Sequence, residues 1–230
     1  GLVERRLEKS RRSLKGNKDL KEEVELLEKI ITVLEEGKSI RVLDFNEEEN
    51  KLLRGFNLLS DKPIIYVTNV PEEDMANDGA ENEMVQKVKA FAKEEDAEVV
   101  VISANIEAEI AELDSEEEIQ EFLEALGMEE SGTNKLIKSS YSLLGLMSFL
   151  TTGEDESRAW TIQIGTKAID AAAKIHTDIS RGFIRAEIVS YDDLVELKSM
   201  NAAKEKGLVR LEGKDYIMQD GDIVHFRFNV

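Results

Sequence analysis

The residues best placed to bind a ligand are polar side chains that follow two short apolar runs. Asn69 and Glu72 follow residues 64–68, a β-branched and aromatic run, and Ser103 follows the run that ends at Ile102. Continuous apolar runs of this length are typical of strands buried on both faces of a parallel sheet. These side chains would offer hydrogen-bonding groups at the strand ends. Taken alone, the spacing of Asn69 and Glu72 also fits an ordinary strand-to-loop turn.

Two other groups could support chemistry, and each has a simpler interpretation. Glu107, Glu109, Glu112 and Asp114 could hold a divalent cation, but the spacing of a calcium loop is absent, so we interpret them as a solvated helix face. His176 with Asp178 could perform acid–base work. Because no nucleophile lies at a recognisable spacing, we interpret His176 as a turn residue bonded to nearby backbone.

Composition restricts the function classes. The absence of cysteine excludes disulfides, thiolate chemistry and the usual zinc sites. The formal charge of −19 argues against a general nucleic-acid binder. That charge is uneven, because residues 1–150 hold 19 basic and 35 acidic side chains, whereas residues 151–230 hold 11 and 14. No apolar run approaches the roughly 18 residues that span a bilayer, so we expect a cytoplasmic protein without a membrane partner.

The periodicity of the first 38 residues predicts two helices packed as an antiparallel hairpin. Apolar or small residues repeat at spacings of four and three at Val3, Leu7, Ser10 and Leu14, and after Gly16-Asn17 at Leu20, Val24, Leu27, Ile31 and Leu34. The first of these helices is locally basic. Its cations form either a solvated outer face, which we favour, or an RNA contact.

A strand, helix, strand unit is predicted next. The strands are the two apolar runs, and Met84, Val88 and Phe91 stripe the helix between them. Asn46, with Glu49 three residues on, predicts the start of an earlier helix. Further helices are predicted after Ser115 and from about Asn134 to Leu144. From Phe149 the chain changes to short strands with glycine turns.

The last eighty residues resemble the TGS module of the YchF/Obg-like ATPase family. The motifs that carry this resemblance are Trp160-Thr161-Ile162-Gln163-Ile164, Ile175-His176-Thr177-Asp178, Gly182-Phe183-Ile184-Arg185-Ala186-Glu187 and the segment from Asp220 to the terminus. Upstream, Ile106-Glu107-Ala108-Glu109 also matches the family. The resemblance covers essentially the whole chain. It implies three domains: an antiparallel coiled-coil hairpin (1–38), the distal half of a P-loop NTPase α/β domain (39–147) and a β-grasp TGS domain (148–230), an α/β and α+β chain overall.

The resemblance also assigns a role to the polar strand ends. GTPases end the corresponding strand in Asn-Lys-x-Asp, which reads guanine. In this resemblance Glu72 replaces the guanine-reading carboxylate with one a methylene longer, and Val70 replaces the lysine that lies over the base. The family is known to prefer ATP. The implied adenine site consists of Asn69, Val70, Glu72, Ser103 and Ala104. Asn105 departs from the lysine usual in the family.

The phosphate-binding half of such a domain is not found in this sequence. No Gly-x-x-x-x-Gly-Lys-Ser/Thr occurs, so neither a phosphate cradle nor a Mg²⁺ ligand from that motif is present. We therefore expect a C-terminal fragment that alone neither binds ATP tightly nor hydrolyses it. Without the earlier strands, residues 64–68 would lack parallel neighbours, and the exposed edge would favour self-association.

Two functions follow from these expectations. In the first, the chain is part of a YchF-type ATPase, with Mg²⁺ in the intact protein, that regulates translation at the ribosome. In the second, it is a non-catalytic interaction module for protein or RNA. Trp160 and Phe183 could stack on bases in such a module, although core packing is the simpler interpretation. An authentic start codon at the first residue would favour the second function.

Overall fold

The computed structural model describes residues 1–14, 18–153 and 156–229. The chain divides into two compact units, Gly1–Ser139 and Ser140–Val230. Each unit combines helices with a small sheet, which confirms the mixed α/β character predicted from the sequence. The three domains at 1–38, 39–147 and 148–230 stay an interpretation beside this division. Within the described residues, no helix is both long and apolar enough to cross a membrane.

The first unit holds two strands and seven helices among its described residues. The strands are β1 (Ile65–Asn69) and β2 (Glu98–Ile102). The helices are α1 (Leu2–Ser13), α2 (Lys18–Glu35), α3 (Glu47–Arg54), α4 (Glu83–Glu94), α5 (Ala104–Ile110), α6 (Glu116–Ala125) and α7 (Gly132–Leu143), the last of which extends into the second unit. Short 3₁₀ turns lie at Ile40–Val42, Leu59–Asp61, Glu72–Asp74 and Ala76–Gly79.

Helices α1 and α2 share a core, as the periodicity predicts. Val3 and Leu7 of α1 pack with Val24 and Leu27 of α2. The buried stripe of α2 is wider than the predicted seam, since it also includes Glu23, Leu26 and Ile30. The reason is that Ile40 and Leu53 join the same core, so α2 is covered by more than α1. The predicted turn at Gly16-Asn17 lies outside the described residues, and the antiparallel coiled coil stays a prediction.

The basic first helix uses part of its charge within the fold. Arg6 donates to both carboxylate oxygens of Glu23 at 2.5 and 2.9 Å, and Arg11 donates to Glu28 at 2.7 Å. These are bonds to α2. They reduce the number of cations that the helix could present to RNA, and the solvated-face interpretation of the remaining ones stays a prediction.

Strands β1 and β2 pair in parallel along their whole length, from Ile65 opposite Glu98 to Asn69 opposite Ile102. The expectation that residues 64–68 lack a parallel neighbour is therefore wrong. Among the described residues no further strand pairs with β1, and Val67 is exposed, so this strand is not buried on both faces. A sheet of only two strands offers little area against which other elements can pack, so both of its faces are not buried. Self-association through the open edge stays a prediction.

The helix between these strands is predicted correctly, but its buried side is not. Val85 and Ala92 are the buried residues of α4, whereas Met84 and Phe91 are exposed. Val85 packs into the core beneath the ends of β1 and β2, which turns the predicted stripe outward. Phe91 instead meets the edge of the Tyr66 ring at a centroid distance of 5.9 Å.

The second unit is built on a five-stranded mixed sheet. Its strands are β3 (Leu146–Thr152), β4 (Ser157–Gln163), β5 (Phe183–Ser190), β6 (Arg210–Glu212) and β7 (Asp222–Phe228), in the order β4-β3-β7-β5-β6. The first and last of them, β3 and β7, are adjacent and parallel, and the other pairs are antiparallel. The helices are α8 (Ala168–Ile175), α9 (Thr177–Arg181), α10 (Tyr191–Leu197) and α11 (Met200–Glu205).

The two faces of this sheet are covered differently. On one face Phe149, Ile188 and Phe226 form the main core with three alanines of α8, whose small side chains allow a close approach. On the other face a smaller core of Val189, Ile223 and Ala203 is shared with α10 and α11. Strands alternate their side chains, so the remaining residues of β5 and β7 on this second face lie beyond that small core.

Gly182, which precedes β5, leaves no room for a side chain. A Cβ at this position would lie 2.0 Å from the carbonyl oxygen of Asn229, and the backbone would have to shift. We expect Gly182→Ala to lower the free energy of unfolding of the second unit by about 1–3 kcal/mol. Urea unfolding followed by the fluorescence of Trp160, the single tryptophan, measures this. The matched control is Gly213→Ala, where nothing lies within 4 Å, and an equal loss in both variants would contradict the prediction.

Candidate functional site

The ends of β1 and β2 are joined by a side chain from the sequence-predicted site. Asn69 Oδ1 accepts a hydrogen bond of 2.9 Å from the backbone N–H of Ala104. One residue on, Val70 N–H donates to the carbonyl of Ile102 at 2.9 Å, which extends the parallel pairing into the loop. The first residues of the two loops are therefore held together by two bonds that link positions more than thirty residues apart in the chain.

Ser103 is buried beside this junction. It is 1% exposed, and its hydroxyl has no hydrogen-bond partner among the described residues. It precedes α5 without capping it. A buried polar atom without a partner is costly, so a ligand that supplied one would be favoured here. The Ala104 N–H is already engaged by Asn69, and a base contact from this loop would have to come from another of its donors.

Glu72 lies on an open depression next to the junction. It begins the 3₁₀ turn after Pro71 and is exposed. The depression measures about 510 Å³, and its lining residues are Glu72, Glu73, Met75, Ile106, Ala125, Leu126 and Met128. Ile106 stands three positions after Ser103, so Glu72 and α5 border one concave surface. Of the described residues, Asn69 and Ser103 are not among those that line it.

Val70, which replaces the lysine of a GTPase, is buried. Its side chain is buried in a core with Met75, Val85, Val101 and Ile106. It therefore packs beneath the loop, and its contact with a base stays a prediction. Of the five predicted site residues, the structure joins Asn69 to Ala104 directly, buries Ser103 and Val70, and leaves Glu72 on the surface.

Two of the other sequence candidates, Glu107 and His176, have structural roles. Glu107 accepts bonds from the backbone N–H groups of Gly132 and Thr133 at 2.7 and 3.1 Å, so it caps the start of α7. No group of three potential metal ligands occurs in the described part of the chain. His176 Nδ1 accepts from the backbone N–H of Asp178 at 3.2 Å, which confirms the turn interpretation.

The two aromatic residues considered for base stacking differ. Phe183 is buried in the main core of the second unit. Trp160 packs at the edge of that core and donates to Thr151 Oγ1 at 2.9 Å. The guanidinium carbon of Arg158 lies 4.3 Å from the centroid of the Trp160 ring, so the ring already stacks with a cation.

A cluster of charges on the second face of the five-stranded sheet is not indicated by any motif. Glu187 of β5 is 5% exposed and lies among three cations. Arg227 donates to both of its oxygens at 2.9 and 3.3 Å, Lys204 of α11 lies at 3.2 Å, and Arg185 lies at 3.5 Å. The residues of this cluster lie far apart in the sequence, on β5, β7 and α11. Their spacing is therefore not recognisable as a pattern until the fold is known.

The cations change the protonation of their neighbours. The pKa of Glu187 is lowered from 4.5 to about 2, chiefly by the hydrogen bond from Arg227, against the opposing effect of burial. His225 stands directly opposite Glu187 on β7. Partial desolvation lowers its pKa most, and the positive charge of Arg227 acts in the same direction. Glu187 is thus ionised at pH 7, and protonation of His225 is disfavoured.

The chain was compared with known proteins. Residues 146–229 match the YchF-GTPase_C family model, which is described as a protein of unknown function. A Bacillus subtilis protein named ribosome-binding ATPase YchF is 51% identical over 229 residues, which are 99% of this chain and 62% of the relative. The chain belongs to the YchF family. The YchF protein of Haemophilus ducreyi is 48% identical over 96% of the chain and 59% of its own length.

Solved structures agree. The YchF GTPase of Schizosaccharomyces pombe superposes with a TM-score of 0.79 at 34% identity, over 98% of this chain and 61% of that one. The family assignment made from the sequence motifs is therefore confirmed. The chain spans about three fifths of the length of these YchF relatives.

The Asn69 bond can be tested without a ligand. We expect Asn69→Ala to cost about 0.5–1.5 kcal/mol of stability, because one loop-to-loop hydrogen bond is lost. The direct readout is hydrogen exchange of the Ala104 amide, which should become faster. Asn69→Asp keeps an acceptor oxygen in place and should preserve most of the protection. Unchanged exchange in the alanine variant would contradict this account.

The Glu187 cluster predicts a dependence of stability on acid. A carboxylate whose pKa is lowered on folding stabilises the fold above its unfolded value, and this contribution is lost as the pH falls from about 4.5 towards 2. We expect the free energy of unfolding of wild type to exceed that of Glu187→Gln by about 1–3 kcal/mol at pH 7, a range that is reduced because the partners are half-exposed. This difference should shrink below pH 4.5. Urea unfolding by Trp160 fluorescence tests it. Glu205→Gln, an exposed carboxylate on α11, is the control and should show no such narrowing.

Proposed function

We propose that this chain contributes the base-recognition half and the C-terminal module of a YchF-type ATPase that acts at the ribosome. The single observation that carries the nucleotide part is the bond between Asn69 Oδ1 and Ala104 N–H. It holds together the two loops that would meet the base, which supports this assignment. The names of the relatives, which are ribosome-binding ATPases, support the wider role.

On chemical grounds the base site has lost the selective bonds to guanine, and adenine is tolerated. Guanine selectivity requires a carboxylate that accepts from two donors of the base, and Glu72 carries its carboxylate one methylene further from the backbone than the aspartate of a GTPase. A good bidentate pair is worth about 1–3 kcal/mol of discrimination, so its loss removes the preference for guanine. The unpartnered hydroxyl of buried Ser103 supports a polar ligand at this junction.

The phosphates and Mg²⁺ would be held elsewhere. The residues described here fit the base but include no phosphate cradle, because the sequence has no P-loop motif. When bound, ATP would supply the phosphoryl group for hydrolysis, and the residues of this chain would only orient its base. We therefore propose that the 230 residues alone bind ATP weakly and do not hydrolyse it.

The second unit supports the interaction part of the proposal. A hairpin (β3 and β4) followed by a helix, with the first and last strands parallel at the centre of five, is the arrangement of a β-grasp fold. We assign it to a TGS module on this basis. Such a module does not by itself identify a ligand. An association with ribosomes would place the chain in the cytoplasm.

A non-catalytic interaction module is the second candidate. The observation that favours it is the cation cluster around Glu187, which lies outside the proposed nucleotide site. The two candidates differ in nucleotide binding, since an interaction module has no reason to distinguish ATP from GTP.

Glu72→Asp tests the base site. We expect the shorter carboxylate to shift the ratio of GTP to ATP affinity towards GTP by about tenfold, which corresponds to about 1.4 kcal/mol. Titration of the isotope-labelled chain with each nucleotide, followed through the NMR signals of Asn69, Ser103 and Ala104, measures weak binding and locates it.

Glu83→Asp, an exposed carboxylate of the same unit that does not line the depression, is the matched control and should leave the ratio unchanged. The proposed base site is refuted if ATP and GTP give the same titration of the wild-type chain and neither shifts the NMR signals of Asn69, Ser103 and Ala104. Steady ATP hydrolysis by the 230-residue chain, above a buffer blank, would refute the proposal that the phosphate-binding residues lie outside this chain.

A further inference from the structure

The carboxylate of Glu107 joins two helices of the first unit. Its Oε1 accepts from the backbone N–H of Gly132 at 2.7 Å. Its Oε2 accepts from the backbone N–H and from the hydroxyl of Thr133, at 3.1 and 2.5 Å. Glu107 belongs to α5, whereas Gly132 and Thr133 begin α7. Three hydrogen bonds to one charged acceptor therefore hold α7 to α5, and such bonds are stronger than those between neutral groups.

The start of α7 also lies against the strand that precedes α5. A Cβ at Gly132 would be 2.7 Å from Cγ2 of Ile102, the last residue of β2, and 3.0 Å from Oε1 of Glu107. The helix approaches this closely because residue 132 has no side chain. Ile102 directly precedes Ser103 and Ala104, and Glu107 follows them by three positions. The start of α7 is thus in contact with the chain on both sides of this pair.

Capping of α7 does not by itself account for this arrangement. The first backbone N–H groups of a helix have no partner within the helix and need an acceptor. A local residue supplies one of them, since Ser131 Oγ accepts from the N–H of Asn134 at 3.1 Å. For Gly132 and Thr133 the acceptor is Glu107, 25 positions before Gly132 in the chain. A local cap restrains only α7, whereas this long-range cap restrains α5 as well.

The helix that Glu107 restrains carries part of the proposed base site. Ala104 is the first residue of α5, and its N–H is the group that Asn69 holds. One turn on, the N–H of Glu107 donates to the carbonyl of Ser103 at 3.0 Å. A helix of seven residues depends on tertiary contacts for its stability. Ile106 anchors it in the core, but apolar contacts are non-directional, so the hydrogen bonds fix its orientation.

We propose that Glu107 is a positioning residue of the base site, which holds α5 to the start of α7 and so keeps Ser103 and Ala104 in place to meet the base of a nucleotide. This inference rests on the proposed nucleotide-binding function. Without the bonds of Glu107 the pair would populate other positions, and the apparent affinity falls with the fraction of the chain that is competent to bind. Because such coupling is reciprocal, a nucleotide bound there should also slow the amide exchange of Gly132 and Thr133.

The test compares bonds that reach α5 with a bond that does not. Glu107→Gln replaces one of the two acceptor oxygens by a donor, so bonds to α7 are lost. Thr133→Val removes one hydroxyl with little change of shape, and Thr133→Ser restores it. The matched control is Ser131→Ala, which weakens the same end of α7 without touching α5. Glu109→Gln removes an equal charge from the exposed side of α5.

The first measurement needs no ligand. Hydrogen exchange of the Ala104 amide should become about tenfold faster in Glu107→Gln and should accelerate less in Thr133→Val. Thr133→Ser should restore the wild-type rate, and neither control should change it. Thermal unfolding followed by circular dichroism reports the stability of every variant. If Ser131→Ala accelerates the exchange as much as Glu107→Gln, then Glu107 is only a cap and the inference is overturned.

The second measurement is titration with ATP and with GTP, followed through the NMR signals of Asn69, Ser103 and Ala104. Glu107→Gln should weaken the binding of both nucleotides about three- to tenfold and leave their ratio unchanged, because Glu107 positions the site without reading the base. Unchanged affinity in this variant overturns the positioning role, while the base site stands.

A wild-type chain that responds to neither nucleotide gives a different result. The proposed nucleotide-binding function then fails. Faster Ala104 exchange in Glu107→Gln and Thr133→Val, but not in Ser131→Ala, would in that case still support the hold of Glu107 on α5.

Discussion

The hydrogen bond between Asn69 Oδ1 and Ala104 N–H is the constraint on which the nucleotide site depends. Parallel pairing of β1 with β2 brings the two strand ends to the same edge, but pairing alone does not fix the loops that follow. The side chain of Asn69 spans that gap at 2.9 Å, and the Val70 bond to Ile102 reinforces it. Glu72 and Ser103 lie on these two loops. A shift in the register between β1 and β2 would therefore displace both residues.

Local signals explain most of what the sequence predicted. Asn46 caps α3 with a reciprocal bond from Glu49, because both partners lie within one turn of each other. The strand, helix, strand unit follows from composition and length in the same way. The buried side of α4 was wrong because Met84 and Phe91 have the same spacing as a core stripe, and only the position of the helix against β2 decides which side is covered.

The candidate site was predictable only in part. Asn69 and Ser103 could be found because each follows a recognisable strand, and the family resemblance supplied their connection. The burial of Val70 could not be predicted, because it depends on contacts with Val85 and Ile106, which belong to other elements. The cluster at Glu187 joins three elements and has no continuous pattern in the chain. Tertiary contacts of this kind become visible only when the fold is known.

Two ion-pair networks in the described part of the chain differ in how far their cations are exposed to solvent. In the first unit, Arg41 donates to Glu95 at 3.2 Å and to the carbonyl of Lys62 at 2.9 Å, and Tyr66 donates to Glu95 at 2.7 Å. Arg41 and Glu95 are both largely shielded from solvent, and their bonds join segments of the fold to one another.

At Glu187 the balance is reversed, because the carboxylate is shielded while its three cations stay half-exposed. Arg185 adds like-charge repulsion between β5 and β7, because it stands directly opposite Arg227, and Lys204 adds a third positive charge from α11. The buried carboxylate reduces that repulsion enough for the strands to pair, yet leaves an excess of positive charge at the surface. The arrangement therefore combines a buried carboxylate, which is held ionised by its partners, with cations that stay open to solvent.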